Sequence, residues 1–210
     1  MNLSPKAQAT RQHILDTGYR LVLQKGFAAL GLQEILKACA VPKGSFYHYF
    51  SSKEAFGCEL LQQYVDDYGR KLDLLLADGG NGQQRLMRYW DAWARDPADP
   101  AQGWAEECLV VKLAAEVADL SEDMRRVLDD GVQRLLQRIA ALVEEGRADG
   151  SLPAGKPALD VARVLYQMWL GAALLSKLSQ DRLPLRQARE ATEHLLTCGN
   201  TAARLSPPND

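Results

Sequence analysis

Cysteine is scarce in this chain. Its four residues, Cys39, Cys58, Cys108 and Cys198, stand far apart, and no pair has C-x-x-C spacing. They read as free thiols rather than as a disulfide framework. Histidine is scarcer still. His13, His48 and His194 are scattered, so the paired ligand spacings of a zinc site are missing, and neither metal nor cofactor is expected. No apolar run approaches the roughly 20 residues of a membrane span, and the polar stretch Met1 to Thr10 carries no apolar signal core. A cytoplasmic protein is expected. No nucleophile–base pair or phosphate loop is visible, which argues against an enzyme, including one with an accessory nucleic-acid module. Period-two alternation is absent and so is any repeat of 20–50 residues. The expected fold class is all-α, with about nine helices.

Acidic residues are few at one end. Residues 1–53 hold seven Lys or Arg and only two acids, Asp16 and Glu34, a balance of +5. The whole chain is −2, so the other 157 residues carry −7. A basic segment on an acidic remainder suits contact with a polyanion. Uneven surface charge without any partner is the alternative on charge alone.

The apolar spacing predicts a first helix over Lys6–Gln24, with Ile14, Leu15, Tyr19, Leu21 and Val22 on one stripe and Gly26 ending it. Two short helices follow, Leu32–Cys39 and Lys43–Tyr49, joined by the turn Ala40-Val41-Pro42. A long helix is expected over Ser52–Ala77 with Ser52 as N-cap, broken at Asp78-Gly79-Gly80-Asn81-Gly82. Further helices are expected over Gln83–Arg95, Trp104–Ala118, Ser121–Ala148, Pro157–Leu178 and Leu185–Thr197. The loop Asp96–Pro100 and the segment 150–155 separate them. The domain reading is 1–52, 53–200, and a disordered tail over 201–210.

The two short helices carry the most information. A short helix, a three-residue turn and a second short helix form a helix-turn-helix, whose second member lies in the major groove of DNA. Here that second helix reads Lys43-Gly44-Ser45-Phe46-Tyr47-His48-Tyr49-Phe50. Phe46 and Phe50 share one face and can anchor it. Lys43, Ser45, Tyr47 and His48 offer hydrogen-bonding groups on the other. Gly44 lets the backbone approach a duplex closely, although glycine costs about 1 kcal/mol inside a helix. Lys53 stands within reach of a phosphate.

The run Val41 to Ala55, with Gly26-Phe27 and Ile35 upstream, resembles the signature of the TetR family of transcriptional repressors. The resemblance covers roughly residues 10–56. It implies three N-terminal helices that bind an operator as a homodimer, a near-palindromic site, and a larger domain that senses a small molecule. Carried over by position, it implies base contacts from Gln33, Lys43, Ser45 and His48, and phosphate contacts from Tyr47, Tyr49 and Lys53. Leu32 departs from the Thr or Ser often found there.

The stretch Cys108 to Arg125, and the later run from Leu165-Tyr166 through Trp169 to Lys177, resemble a narrower branch, the N-ethylmaleimide-reductase repressor type. That resemblance implies Cys108 as sensor of a reactive electrophile or oxidant. Glu107 departs from the branch, which often has glycine there. On the residues alone, Cys108 would lie in or just beyond the first turn of its helix, where the dipole and Lys112 favour a thiolate while Glu106 and Glu107 oppose it. It is also readable as a small buried residue, with the inducer then bound non-covalently. Lys177 reads as an activator of the thiol, a trap for its oxidised form, or a snorkelling surface lysine. Trp90, Trp93, Trp104 and Trp169, with Tyr89, read as pocket lining or as plain core. Val161, Val164, Leu165, Met168, Leu175 and Leu195 on the last two helices are expected at a subunit interface, or inside the protomer core. Cys39, Cys58 and Cys198 read as structural or incidental.

Overall fold

The computed structural model describes residues 4–95 and 103–197. Every regular element among them is a helix: α1 (Pro5–Lys25), α2 (Leu32–Cys39), α3 (Lys43–Tyr49), α4 (Lys53–Ala77), α5 (Gly82–Ala94), α6 (Leu109–Leu120), α7 (Glu122–Ala148), α8 (Ala158–Ser179) and α9 (Leu183–Thr197). The expected loop Asp96–Pro100, Cys198 and the tail 201–210 lie outside the described residues.

Local chemistry sets the helix ends. Ser4 caps α1 by accepting from the Ala7 amide, with Pro5 in the first turn. Gly26, at φ 82°, ends it in a conformation that favours glycine. Ser52 caps α4 by accepting from the Ala55 amide at 2.9 Å, as its position suggested. Asn81 and Gln84 form a reciprocal capping box at the start of α5.

The described residues fall into two compact units. The first runs to Tyr68 and adds Lys112–Gly131. Its core joins Ile14, Leu15 and Val22 of α1 to Ile35, Phe46, Phe50 and Phe56. Gly18 is needed here, since a Cβ on it would come within 2.3 Å of the Phe56 ring. The second unit spans Gly69–Val111 and continues from Val132. It packs α5 and α8 on α9 around Tyr89, Trp90, Trp93, Tyr166 and Trp169, all buried.

Two expectations change. The helix expected from Trp104 begins at Leu109, and residues 104–107 form a turn instead. Gly103 explains part of this, because a Cβ there would lie 2.5 Å from the Arg95 carbonyl, while the Trp104 amide donates to Ala92 at 3.1 Å. The chain is thus folded back on α5 before α6 can start. The second concerns α8, which is long and apolar enough to cross a membrane by length and composition. One of its faces is occupied by packing: Ala162, Leu165, Tyr166, Trp169 and Ala173 are buried.

Candidate nucleic-acid interface and sensing core

Three phenylalanines hold α3 in place. Phe46 and Phe50 are buried, with ring centroids 5.2 Å apart, and both meet Phe56 of α4, at 5.5 and 5.2 Å. The α2–α3 turn closes with Ala40 in a left-handed conformation, φ 53°, its amide donating back to Lys37. Pro42 precedes the first turn of α3. One face is therefore fixed, and the other is free.

On the free face Lys43, Gly44, Tyr47 and His48 are exposed, and Ser45 and Tyr49 are partly so. Tyr47 is 46% exposed, large for an aromatic residue, with the Lys43 ammonium 5.8 Å from its ring centroid. The His48 and Tyr49 rings meet edge-on at 4.9 Å. Gln33 is exposed at the start of α2. A Cβ on Gly44 would meet nothing within 4 Å, so internal packing gives no reason for glycine there. Lys43, Gly44, Tyr47 and His48 of α3 and Gln33 of α2 are thus open to solvent, with Ser45 partly so.

Lys53 is placed differently from the open-sided residues. Its Nζ donates to the Phe27 carbonyl at 2.9 Å and sits 4.6 Å from the Phe27 ring centroid. Burial pushes its pKa down, and the nearby Glu116 carboxylate works against that. Glu116 in turn accepts from the Ala28 amide. Sequence reasoning passed over Glu116. Its one signal is a charge beside Val117 in a helix with a strongly apolar side.

In the second unit Trp90, Trp93 and Trp169 are buried together. Trp90 and Trp169 stack with centroids 4.9 Å apart and planes 10° off parallel, and Trp93 meets both edge-on. Trp169 Nε1 donates to Thr192 at 2.9 Å. Trp90 Nε1 is buried and has no hydrogen-bond acceptor among the described residues. Trp104 is only partly buried, with Tyr89 5.9 Å away.

Cys108 immediately precedes α6 and is 3% exposed. The Tyr166 phenol is held well above its ordinary pKa, first by burial and then by the neighbouring Cys108 and Tyr89. The two acids before the thiol are both engaged: Glu106 by Arg182 at 2.6 Å and Glu107 by Lys71 at 2.9 Å. Lys177 is exposed in the last turn of α8, beside exposed Leu174 and Leu178. Cys39 and Cys58 have raised pKa values, chiefly through burial.

Of the residues expected at a subunit interface, Leu165 is buried within the protomer, while Val164, Leu175 and Leu195 are exposed. A groove of about 860 Å³ opens beside them, lined by Val161, Val164, Leu195, Arg147, Lys156 and His194 among others.

Two family models match. Residues 14–56 match the bacterial regulatory proteins of the tetR family, and residues 82–192 match the tetracyclin repressor-like C-terminal domain. The chain is 43% identical over 189 residues to the HTH-type transcriptional repressor NemR of Escherichia coli K12, covering 89% of this chain and 94% of that protein. It is 33% identical over 195 residues to the transcriptional regulator AcuR of Cereibacter sphaeroides, covering 92% and 89%. The crystal structure of reduced E. coli NemR superposes with a TM-score of 0.81 at 42% identity, covering 90% of this chain and 97% of that one. The chain belongs to the TetR family of bacterial regulatory proteins.

Proposed function

We propose that this protein is a homodimeric, cytoplasmic transcriptional repressor that releases a near-palindromic operator when a reactive electrophile or oxidant modifies Cys108. The observation that carries the DNA-binding part is the α3 helix: one face locked by Phe46 and Phe50, the other presenting Lys43, Ser45, Tyr47 and His48 to solvent. Gln33, Lys43, Ser45 and His48 read base edges. Tyr47, Tyr49 and Lys53 contact phosphates and set the register. The bare backbone at Gly44 lets α3 sit close to the duplex. Residues 1–52 serve as the reading domain and 53–200 as the sensing and dimerising one.

Dimerisation is supported by the exposed apolar side chains of α8 and α9, among them Val164, Leu175, Leu178 and Leu195. A two-fold pair places its recognition helices about 34–36 Å apart, one DNA turn. An inducer that favours another spacing releases the DNA.

The sensing part is supported by likeness to NemR and by the engaged charges of Glu106 and Glu107. An activated alkene adds at the thiol: the new bond is S–C, and the thiol proton ends on the neighbouring carbon. Where the inducer is an oxidant, Lys177 is the group that traps the oxidised thiol. Two observations favour a second reading, a non-covalent inducer. Cys108 is buried, and Trp90 Nε1 lacks an acceptor that a bound carbonyl would supply. One experiment separates the two. Genomic fragments retained by the purified protein are sequenced with and without N-ethylmaleimide, for wild type and Cys108→Ser. A shared palindrome, lost on treatment only in wild type, supports the covalent reading. Equal release from Cys108→Ser contradicts it.

A further inference from the structure

The Phe27–Ala28 peptide group is gripped at both ends by opposite charges. Its carbonyl accepts from the Lys53 ammonium of α4 at 2.9 Å, and its N–H donates to the Glu116 carboxylate of α6. The dipole of the peptide lies between a cation on its negative end and an anion on its positive end. Gly26 makes room for this arrangement, since a Cβ there would fall 2.6 Å from Glu116 Oε2. Beside it, Ser121 donates to Glu54 and accepts from the Met124 amide at 3.2 Å, so the residue after Lys53 is tied to the same stretch of chain. The clamped peptide sits in the connection between α1 and α2, and α2 leads through the turn at Ala40 into α3.

We propose that Glu116 is a positioning residue for DNA recognition: from α6 it holds the α1–α2 connection and keeps the Lys53 ammonium in an internal pairing from which a DNA phosphate must draw it. The inference rests on the DNA-binding reading of α2–α3. Lys53 has one charge and two claims on it. Inside the protein it has the Phe27 carbonyl and ring with Glu116 nearby. On DNA it would have a phosphate. Each phosphate neutralised releases counterions, so the division is readable in the salt dependence of binding.

The test uses the full chain and a random-sequence duplex, with affinity measured across a salt series. Glu116→Gln keeps an oxygen acceptor for the Ala28 amide but removes the charge. On this random-sequence duplex, unlike on the operator, the wild type keeps Lys53 in its internal pairing, so the expected Glu116→Gln slope of log K against log salt is steeper by about 0.9 per protomer, with affinity at moderate salt up about three- to tenfold. In a Lys53→Gln background the same substitution has no effect on the slope. Glu116→Asp, which retains the charge, leaves the slope at the wild-type value. An unmoved slope in a helical, duplex-binding Glu116→Gln protein overturns the inference. So does a change that persists undiminished without Lys53. Failure of the wild type to bind any duplex would instead remove the DNA-binding reading, and this inference with it.

Discussion

Arg182 and Glu106 form a strap beside the thiol. The guanidinium donates to Glu106 Oε1 at 2.6 Å and to the Ala94 carbonyl at 2.7 Å, and it also reaches the carbonyl of Arg95. One side chain thus joins the end of α5 to the turn that leads into Cys108. A thiol that is 3% exposed reacts only when its surroundings open. Arg182→Gln is expected to raise the rate of Cys108 alkylation by N-ethylmaleimide about three- to tenfold, the effect of weakening closure by roughly 1 kcal/mol. Mass spectrometry over time reads it. A slower rate would mean that freeing the Glu106 charge outweighs the opening.

Phe46 and Tyr47 are neighbours with opposite duties. Their rings meet at 5.6 Å, yet one is fully buried and the other 46% exposed. Phe46→Ala is expected to cost about 3–5 kcal/mol of stability. Tyr47→Ala should cost under about 1 kcal/mol. Urea unfolding at fixed protein concentration compares them, and equal losses would place Tyr47 in the core.

Thr192 is fully buried, accepts from Trp169 Nε1 and donates to the Ala188 carbonyl at 2.7 Å. Thr192→Val keeps the shape and leaves the indole unpaired. The expected loss is about 1–3 kcal/mol, with Tm falling by about 2–4 °C for each kcal/mol. An unchanged Tm would show that the indole finds another acceptor.

Asp149 ties the end of α7 to the start of α5, accepting from the Gly82 amide at 2.7 Å. Its pKa is lowered by the Ser151 hydroxyl first, then by the Gly82 and Ser151 amides. A depressed folded-state pKa stabilises above the unfolded value and is lost as pH falls through the folded one. Asp149→Asn is therefore expected to be less stable than wild type at pH 7, with the gap closing below about pH 4. A gap that holds constant down to pH 2 would refute the assignment.

Much of this was legible in the chain because it depends on local chemistry. The all-α class, the α1–α3 boundaries and the Ser52 cap follow from apolar spacing, glycine and capping residues within a few positions of one another. What escaped depends on distant contacts. Trp104 to Glu107 are acceptable helix formers, but Gly103 and the Ala92 carbonyl turn them aside. The tryptophan spacing fits a packed core as well as a pocket wall, and the Trp90–Trp169 stack at 4.9 Å joins residues 79 positions apart, beyond the reach of local pattern. Glu116 meets Ala28 across 88 positions and Arg182 meets Glu106 across 76, separations at which sequence pattern is silent.

The proposed repressor function depends on the open face of α3 holding DNA. The direct measurement is equilibrium binding, at about 0.15 M salt, of the duplex that wild type selects, compared with a Lys43→Ala/Tyr47→Ala variant of unchanged helicity and Tm. Loss of at least about tenfold in affinity is predicted, as removal of two groups from a protein–DNA contact requires. Undiminished affinity in that folded variant would contradict the account.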